Sequence, residues 1–220
     1  YVIAADLVGL SAPQDQAFRR FVAELRHRPL RGHSGGTDLT STALRSPNNW
    51  GTMARAAVVA IDLYLGDRAH LAPVATAHRA WLGERVANQL RYSDTGWHAT
   101  SPPAGVNPPG ARIGGHSVDG LLPEDQRRTG EPSTGAPPRG SYPWEALQGA
   151  LVTGVLLHRA GVVGIGAGHG ALARAAGWLT HVNRNPATGD DTWQPWVLNR
   201  VAGTSLPTTE ARSPGKNMGW

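Results

Sequence analysis

Ser46-Pro47-Asn48-Asn49-Trp50-Gly51-Thr52 sets two side-chain amides next to each other at the mouth of a helix. Beyond it Trp50, Met53, Ala57, Val58, Ile61, Tyr64 and Leu65 recur at helical spacing, which predicts one buried face, and Gly66-Asp67 ends the run. A single Asn is enough to cap a helix, because its side-chain oxygen accepts from the unpaired amides of the first turn. The second amide is surplus to capping. It can face a pocket as a neutral donor to an anionic or sugar ligand.

Working outward, residues 13–28 read as an amphipathic helix with Phe18, Phe21, Val22 and Leu25 on its stripe, ended by Arg28-Pro29. Residues 30–47 read as a polar loop carrying His33 among glycines. After the Asn-Asn helix, a third is predicted from about Arg68 to Arg91, with Leu71, Val74, His78, Trp81, Leu82, Val86 and Leu90 on one face and His78 a hydrogen-bonded core residue. Residues 92–141 have many Gly and Pro and little periodicity. A loop that long inside a domain is usually functional or disordered. Its rings and titratable groups, Trp97-His98, Gly114-Gly115-His116-Ser117 and Leu122 to Arg128, favour a substrate-covering loop. Further helices are predicted at Tyr142–Ala160, where Pro143 suits the first turn, at about 168–183, and from Trp193 to about Val201.

The expected architecture is therefore all-α, with no convincing strand. The two similar helix pairs imply stacked helical hairpins, forming part or all of an α/α toroid in a single domain over 1–220. The chain opens at Tyr1 without Met and stops at Trp220 after Gly215-Lys216-Asn217, so a piece of a longer protein is expected, with more helix beyond.

No run of about 18 apolar residues is present, so no membrane span is expected. The chain has no cysteine, which excludes disulfides and thiolate metal sites. Lys and Arg total 21 against 16 Asp and Glu, nearly all the cations being arginine, whose fork suits carboxylates and phosphates. A net charge of +5 suits a polyanion, either nucleic acid or an acidic polysaccharide, and composition alone does not choose; the scattered arginines and the lack of a nucleic-acid-binding motif count against nucleic acid. Eight Trp against two Phe adds ring faces for sugars, with Trp97, Trp144 and Trp193 as candidates that also suit a core.

Eliminating the glycosidic bond of a uronate polymer needs relief of the carboxylate charge, a base for the C5 proton and an acid for the departing oxygen. Amides, His and Arg meet the first need, and a Tyr beside an Arg meets the other two. Tyr142 stands at a helix start, where the positive end of the helix favours negative charge. No metal-ligand spacing and no nucleophile-elbow signature are present. Carboxylate pairs for a hydrolase do exist, Glu124 or Asp125 with Glu145, Asp190 or Asp191. A non-catalytic binder of acidic glycans is the third reading.

Three pieces together, Ser46-Pro47-Asn48-Asn49-Trp50-Gly51, Leu122 to Arg128, and Tyr142-Pro143-Trp144-Glu145-Ala146-Leu147-Gln148-Gly149-Ala150, resemble the alginate-lyase superfamily of polysaccharide lyases. The Asn-Asn-Trp-Gly form is more similar to its glucuronan-lyase-like branch than to alginate lyases proper. The resemblance implies an α/α toroid, no metal or cofactor, a monomer, and a secreted or periplasmic location. It implies Asn49 on the substrate carboxylate, Tyr142 as base and acid, and Arg128 or Arg127 as its partner, with Arg139 a rival. Alginate lyases proper place a His after the Asn where this chain has Trp50, so charge relief falls to His116 or His98. Asn48, Trp50, Arg127, Arg139, His98 and Trp97 are then the expected substrate-binding set.

Overall fold

The computed structural model describes residues 1–30, 37–84, 89–93, 96–132 and 135–209. His33, Val86 and the segment from Gly215 to Trp220 lie outside the described residues. In chain order the helices are α1 (Val2–Val8), α2 (Ala12–Leu25), α3 (Leu39–Arg45), α4 (Asn49–Leu65), α5 (Arg68–Trp81), α6 (Pro123–Gln126), α7 (Tyr142–Arg159), α8 (Ala167–Gly177) and α9 (Trp193–Ala202). A π-helical turn, Trp178–Val182, continues α8. Among the described residues the architecture is all-α apart from a hairpin of two two-residue strands, β1 (Arg112–Ile113) and β2 (His116–Ser117).

Helix α4 is the hub, touching α1, α2, α3, α5 and α7, and its contact with α7 is the most extensive. Asn49 meets Glu145 at one level, and Thr52 and Met53 meet Gly149 at the next. The contacts advance in the same order along both chains, so α4 and α7 run in the same direction with their N-termini adjacent. Gly149 permits this approach: a Cβ built there would lie 2.5 Å from the Met53 nitrogen. Two apolar clusters flank the pair. One joins α3, α4 and α5 through Ala43, Val58, Leu71 and Val74; the other joins α7, α8 and α9 through Leu147, Leu172 and Leu198.

Several expectations need correction. The predicted polar loop at 30–47 contains α3, begun by Asp38, whose carboxylate accepts from the Ser41 amide at 2.6 Å. Helix α5 stops at Trp81 rather than Arg91, because Gly83 turns the chain with φ +100°. His78 is buried, but neither ring nitrogen has a hydrogen-bond partner among the described residues. Burial beside the Arg55 cation drives its pKa down to about 3, so it is neutral. The 92–141 segment is anchored in the core by Trp97, Val106, Val118, Leu121 and Leu122, all at most 1% exposed. Its hairpin turns on Gly114 and Gly115, both at positive φ, as a tight two-residue turn requires.

Buried ions lock the N-terminal helices to the hub. Arg26, at the end of α2, donates to Asp62 of α4 at 2.6 Å and to Asp67 at 2.9 Å, while His70 of α5 meets Asp62 at 2.8 Å. Three helices thus share one carboxylate.

Gly149→Ala isolates the α4–α7 contact. Helix propensity alone favours Ala by about 1 kcal/mol. The clash with the α4 backbone outweighs it, and a net loss of about 1–3 kcal/mol in denaturant unfolding is expected. A gain in stability would show that the two helices do not meet at this glycine.

Candidate functional site

The turn before α4 is pinned from beneath. Arg55, fully buried, donates to the carbonyls of Ala43 at 2.8 Å and Ser46 at 3.1 Å, and the Trp81 indole donates to the Pro47 carbonyl at 2.6 Å. Burial lowers the Arg55 pKa to about 10, so it remains a cation at neutral pH. Gly51 has no room for a Cβ against the Ser46 carbonyl. The Asn pair is therefore held by a rigid bed.

The two amides divide the work. Asn48 is the cap, its Oδ1 accepting from the Gly51 N–H at 3.4 Å. Asn49 is 7% exposed and sits at the meeting point of three ionisable side chains. Its backbone N–H donates to Asp125 Oδ1 at 3.0 Å, its Nδ2 donates to Glu145 Oε2 at 3.0 Å, and its Oδ1 accepts from Arg128 Nη1 at 2.9 Å. A guanidinium only donates and a carboxylate accepts, so the amide can point only one way. Nδ2 carries a second hydrogen beyond the one given to Glu145.

Arg128 also reaches Tyr142. Its guanidinium carbon lies 4.0 Å from the centre of the Tyr142 ring, within cation–π range. Both side chains are exposed, whereas the Asn49 they flank is buried. Tyr142 is the first residue of α7, so two helix N-termini and one guanidinium converge here. Each contributes positive potential, and the ensemble favours an anion.

Helix α6 supplies the acids. Asp125 is 1% exposed, and burial pushes its pKa up to about 8, reinforced by the charges of Glu124 and Glu145 against the pull of the Asn49 N–H and Arg128. Its neighbour moves the opposite way. Burial would raise the Glu124 pKa, but hydrogen bonds from His98, Ser93 and Arg127 outweigh it and hold it at about 2. His98 meets Glu124 at 3.0 Å and Arg127 meets it at 3.1 Å. These two expected substrate residues are thus gathered on Glu124 rather than on Asn49.

The remaining candidates are distributed. Trp50 is 49% exposed and, with Asn49, Leu39, Met53 and Glu145, borders an open cavity of about 380 Å³. Trp97 is sealed, its indole donating to the Gly130 carbonyl at 2.6 Å, so it offers no ring face to a sugar. Trp144 is likewise core, bonded to the Asn185 carbonyl at 2.8 Å. His116 and Arg139 line a different cavity, beside Trp178 and Arg184. Arg139 donates to the Asn183 carbonyl at 3.1 Å, which leaves Arg128 as the arginine on Tyr142. Sequence reasoning did not place Glu145 and Asp125 as partners of Asn49. Their signal was position, an acid in the first turn of one helix and of another.

Among the described residues no group of three His, Asp or Glu side chains is arranged to hold a metal ion, and no helix is long and apolar enough to cross a membrane. Comparison of the chain with protein-family models, curated proteins and solved structures finds no match.

The opposed shifts of the two acids have opposite signs in stability. Asp125 keeps its proton to about pH 8 when folded but only to about 3.8 otherwise, so its contribution falls as pH rises across that window. Glu124 contributes fully above about 4.5, and that contribution is lost as pH falls toward 2. Asn at position 125 retains an acceptor for the Asn49 amide and removes the titration. Asp125→Asn is expected to flatten the decline of unfolding free energy from pH 5 to pH 8 by as much as about 1.4 kcal/mol per pH unit. An unchanged slope would show that Asp125 is already ionised in the folded protein.

Proposed function

We propose that the chain is a polysaccharide lyase that cleaves a uronic-acid polymer, glucuronan- or alginate-like, by β-elimination. The observation that carries the reading is Arg128 bridging the Asn49 amide and the Tyr142 ring at the paired N-termini of α4 and α7. A uronate carboxylate fits this positive corner, taking the second Nδ2 hydrogen of Asn49 and the outer hydrogens of Arg128. As the C5 proton leaves, negative charge spreads onto the carboxylate, and the same donors stabilise it more strongly than in the ground state.

In this reading Tyr142 oxygen takes the C5 proton. Electrons of the C5–H bond form the C4–C5 double bond, the C4–O bond breaks with its pair, and the tyrosine proton passes to the departing oxygen. The products are one chain beginning with an unsaturated uronate and one ending in a hydroxyl. No metal or cofactor takes part in these steps. Trp50, exposed beside Asn49, offers a ring face to a neighbouring sugar.

The hydrolase alternative is weaker on the same geometry. Hydrolysis needs two carboxyl groups facing the linkage. Here Asp125 is buried beneath Asn49, Glu145 accepts from the Asn49 amide, Glu124 is held by His98 and Arg127, and Asp191 accepts from Gln194 at 2.8 Å. The parallel packing of α4 and α7, each followed by a further helix, also suits neighbouring inner helices of an α/α toroid, the arrangement we propose for the whole fold. The partner in this account is an acidic polysaccharide, met outside the cytoplasm by a monomer.

The test is ultraviolet absorbance of the unsaturated uronate during incubation with glucuronan, polymannuronate, polyguluronate and a glucuronate-bearing glycosaminoglycan. A rise on at least one polymer is expected, and Tyr142→Phe should lower that rate by about 10²-fold or more. New reducing ends without absorbance would instead assign the chemistry to hydrolysis.

A further inference from the structure

The cavity that gathers His116 and Arg139 has its own chemistry. It encloses about 430 Å³, and its wall among the described residues includes His116, Arg139, Trp178, Val182, Asn183 and Arg184 but no carboxylate. Two guanidinium-bearing residues with no acid in the lining favour an anion. Asn183 adds a second requirement. It is 9% exposed, its Nδ2 is committed to the Pro137 carbonyl at 2.8 Å, and its buried Oδ1 has no hydrogen-bond partner among the described residues. This unpaired acceptor lies just under the cavity wall, where a hydroxyl or amide donor of an occupant reaches it once the side chains covering it shift. An anion that also carries hydroxyl groups is a sugar acid.

The backbone at Arg184 points the same way. Its φ of +53° is left-handed, a conformation that residues other than Gly adopt only when their surroundings enforce it. Neighbouring bonds enforce it: Asn183 O accepts from Arg139, Asn185 Nδ2 donates to the Gly140 carbonyl at 2.8 Å, and Asn185 O accepts from Trp144. Strain held this firmly is typical of ligand clamps.

Those same bonds tie the cavity to the proposed catalytic centre. Residues 137–140, stitched to 183–185, lead directly into Tyr142. Three residues of chain span at most about 11 Å, so the cavity wall at Arg139 lies within a few sugar-ring widths of the tyrosine. The cavity bordered by Asn49 and Trp50, by contrast, has Glu145 and, among the described residues, no cation in its lining. The two are chemically unequal.

The geometry points to the Arg139–Arg184 cavity as a second uronate subsite, which holds the carboxylate of a sugar unit next to the one being cleaved and thereby selects polymers with consecutive acidic units. This rests on the lyase reading for its polymer but not for its binding chemistry. Arg139 and Arg184 receive the carboxylate, and Asn183 Oδ1 accepts from a ring hydroxyl.

Calorimetric titration separates the two claims. Tetrasaccharides of glucuronate, mannuronate and guluronate, with carboxyl-reduced counterparts of equal length, are titrated into the Tyr142→Phe protein alone and with Arg184→Asn or Val182→Glu added. Asn tolerates the left-handed backbone. Val182 is 51% exposed, so an acid there repels the ligand without disturbing the core. Each added substitution should weaken at least one acidic tetrasaccharide tenfold or more and leave its carboxyl-reduced counterpart unaffected. Acidic binding that survives both substitutions, or no acidic binding at all, overturns the subsite. If binding depends on Arg184 while the unmutated protein yields no unsaturated product on any polymer, the subsite stands and the lyase reading falls. Unsaturated product with binding indifferent to position 184 leaves the lyase reading standing and removes the subsite.

Discussion

The close parallel approach of α4 and α7 is the constraint on which the rest of the molecule depends. Only a glycine at position 149 lets the α7 backbone lie against Thr52 and Met53. With that contact made, the starts of both helices occupy the same end of the molecule, and Asn49, Glu145 and Tyr142 become neighbours although about a hundred residues separate them in sequence. The α6 segment then fits over the junction, its Asp125 satisfying the Asn49 N–H and its Arg128 closing the corner. Packing produces the site here, and the polar contacts refine it.

The electrostatics follow from that arrangement. Two helix N-termini and a guanidinium would leave an uncompensated positive corner; Glu145 tempers it without filling it, while a largely protonated Asp125 adds little charge. The acids face Asn49, whereas Arg128 and Tyr142 face solvent. An approaching anion thus meets donors first. Glu124, adjacent to Asp125 in the chain, has a separate role: it gathers His98 and Arg127 into a part-buried hydrogen-bonded cluster that holds α6.

Much of this was legible in the chain. The Asn48-Asn49 pair announced one cap and one surplus amide, and the helices starting at Asn49 and Tyr142 fall where capping and Pro143 placed them. What escaped has physical reasons. Helix α3 is Leu-Thr-Ser-Thr-Ala-Leu-Arg, poor in intrinsic helix formers, and it forms because Asp38 caps it and Ala43 packs under α4. Arg26, Arg55 and Asp62 read as wet-face residues in any periodicity count, yet all three are buried because each finds partners that no local pattern reveals. Phe21 shows the converse, an apolar stripe position left 52% exposed. Arg127 pairs with Glu124 only three residues away, but the placement of His98 on the same acid and of Arg139 elsewhere depends on contacts across 26 to 45 residues. Spacing along the sequence carries no record of it.

In the proposed function Asn49, Arg128 and Tyr142 act as one unit on a uronate carboxylate. A double-mutant cycle on elimination rate, with Asn49→Ala, Arg128→Gln and the pair, tests it most directly. Residues that share one function show losses that do not add, with coupling of about 0.5–3 kcal/mol. The expected result is a double variant scarcely slower than the worse single variant. Fully additive losses would mean that the Arg128 bridge is a structural contact and that the amide and the guanidinium serve the reaction separately.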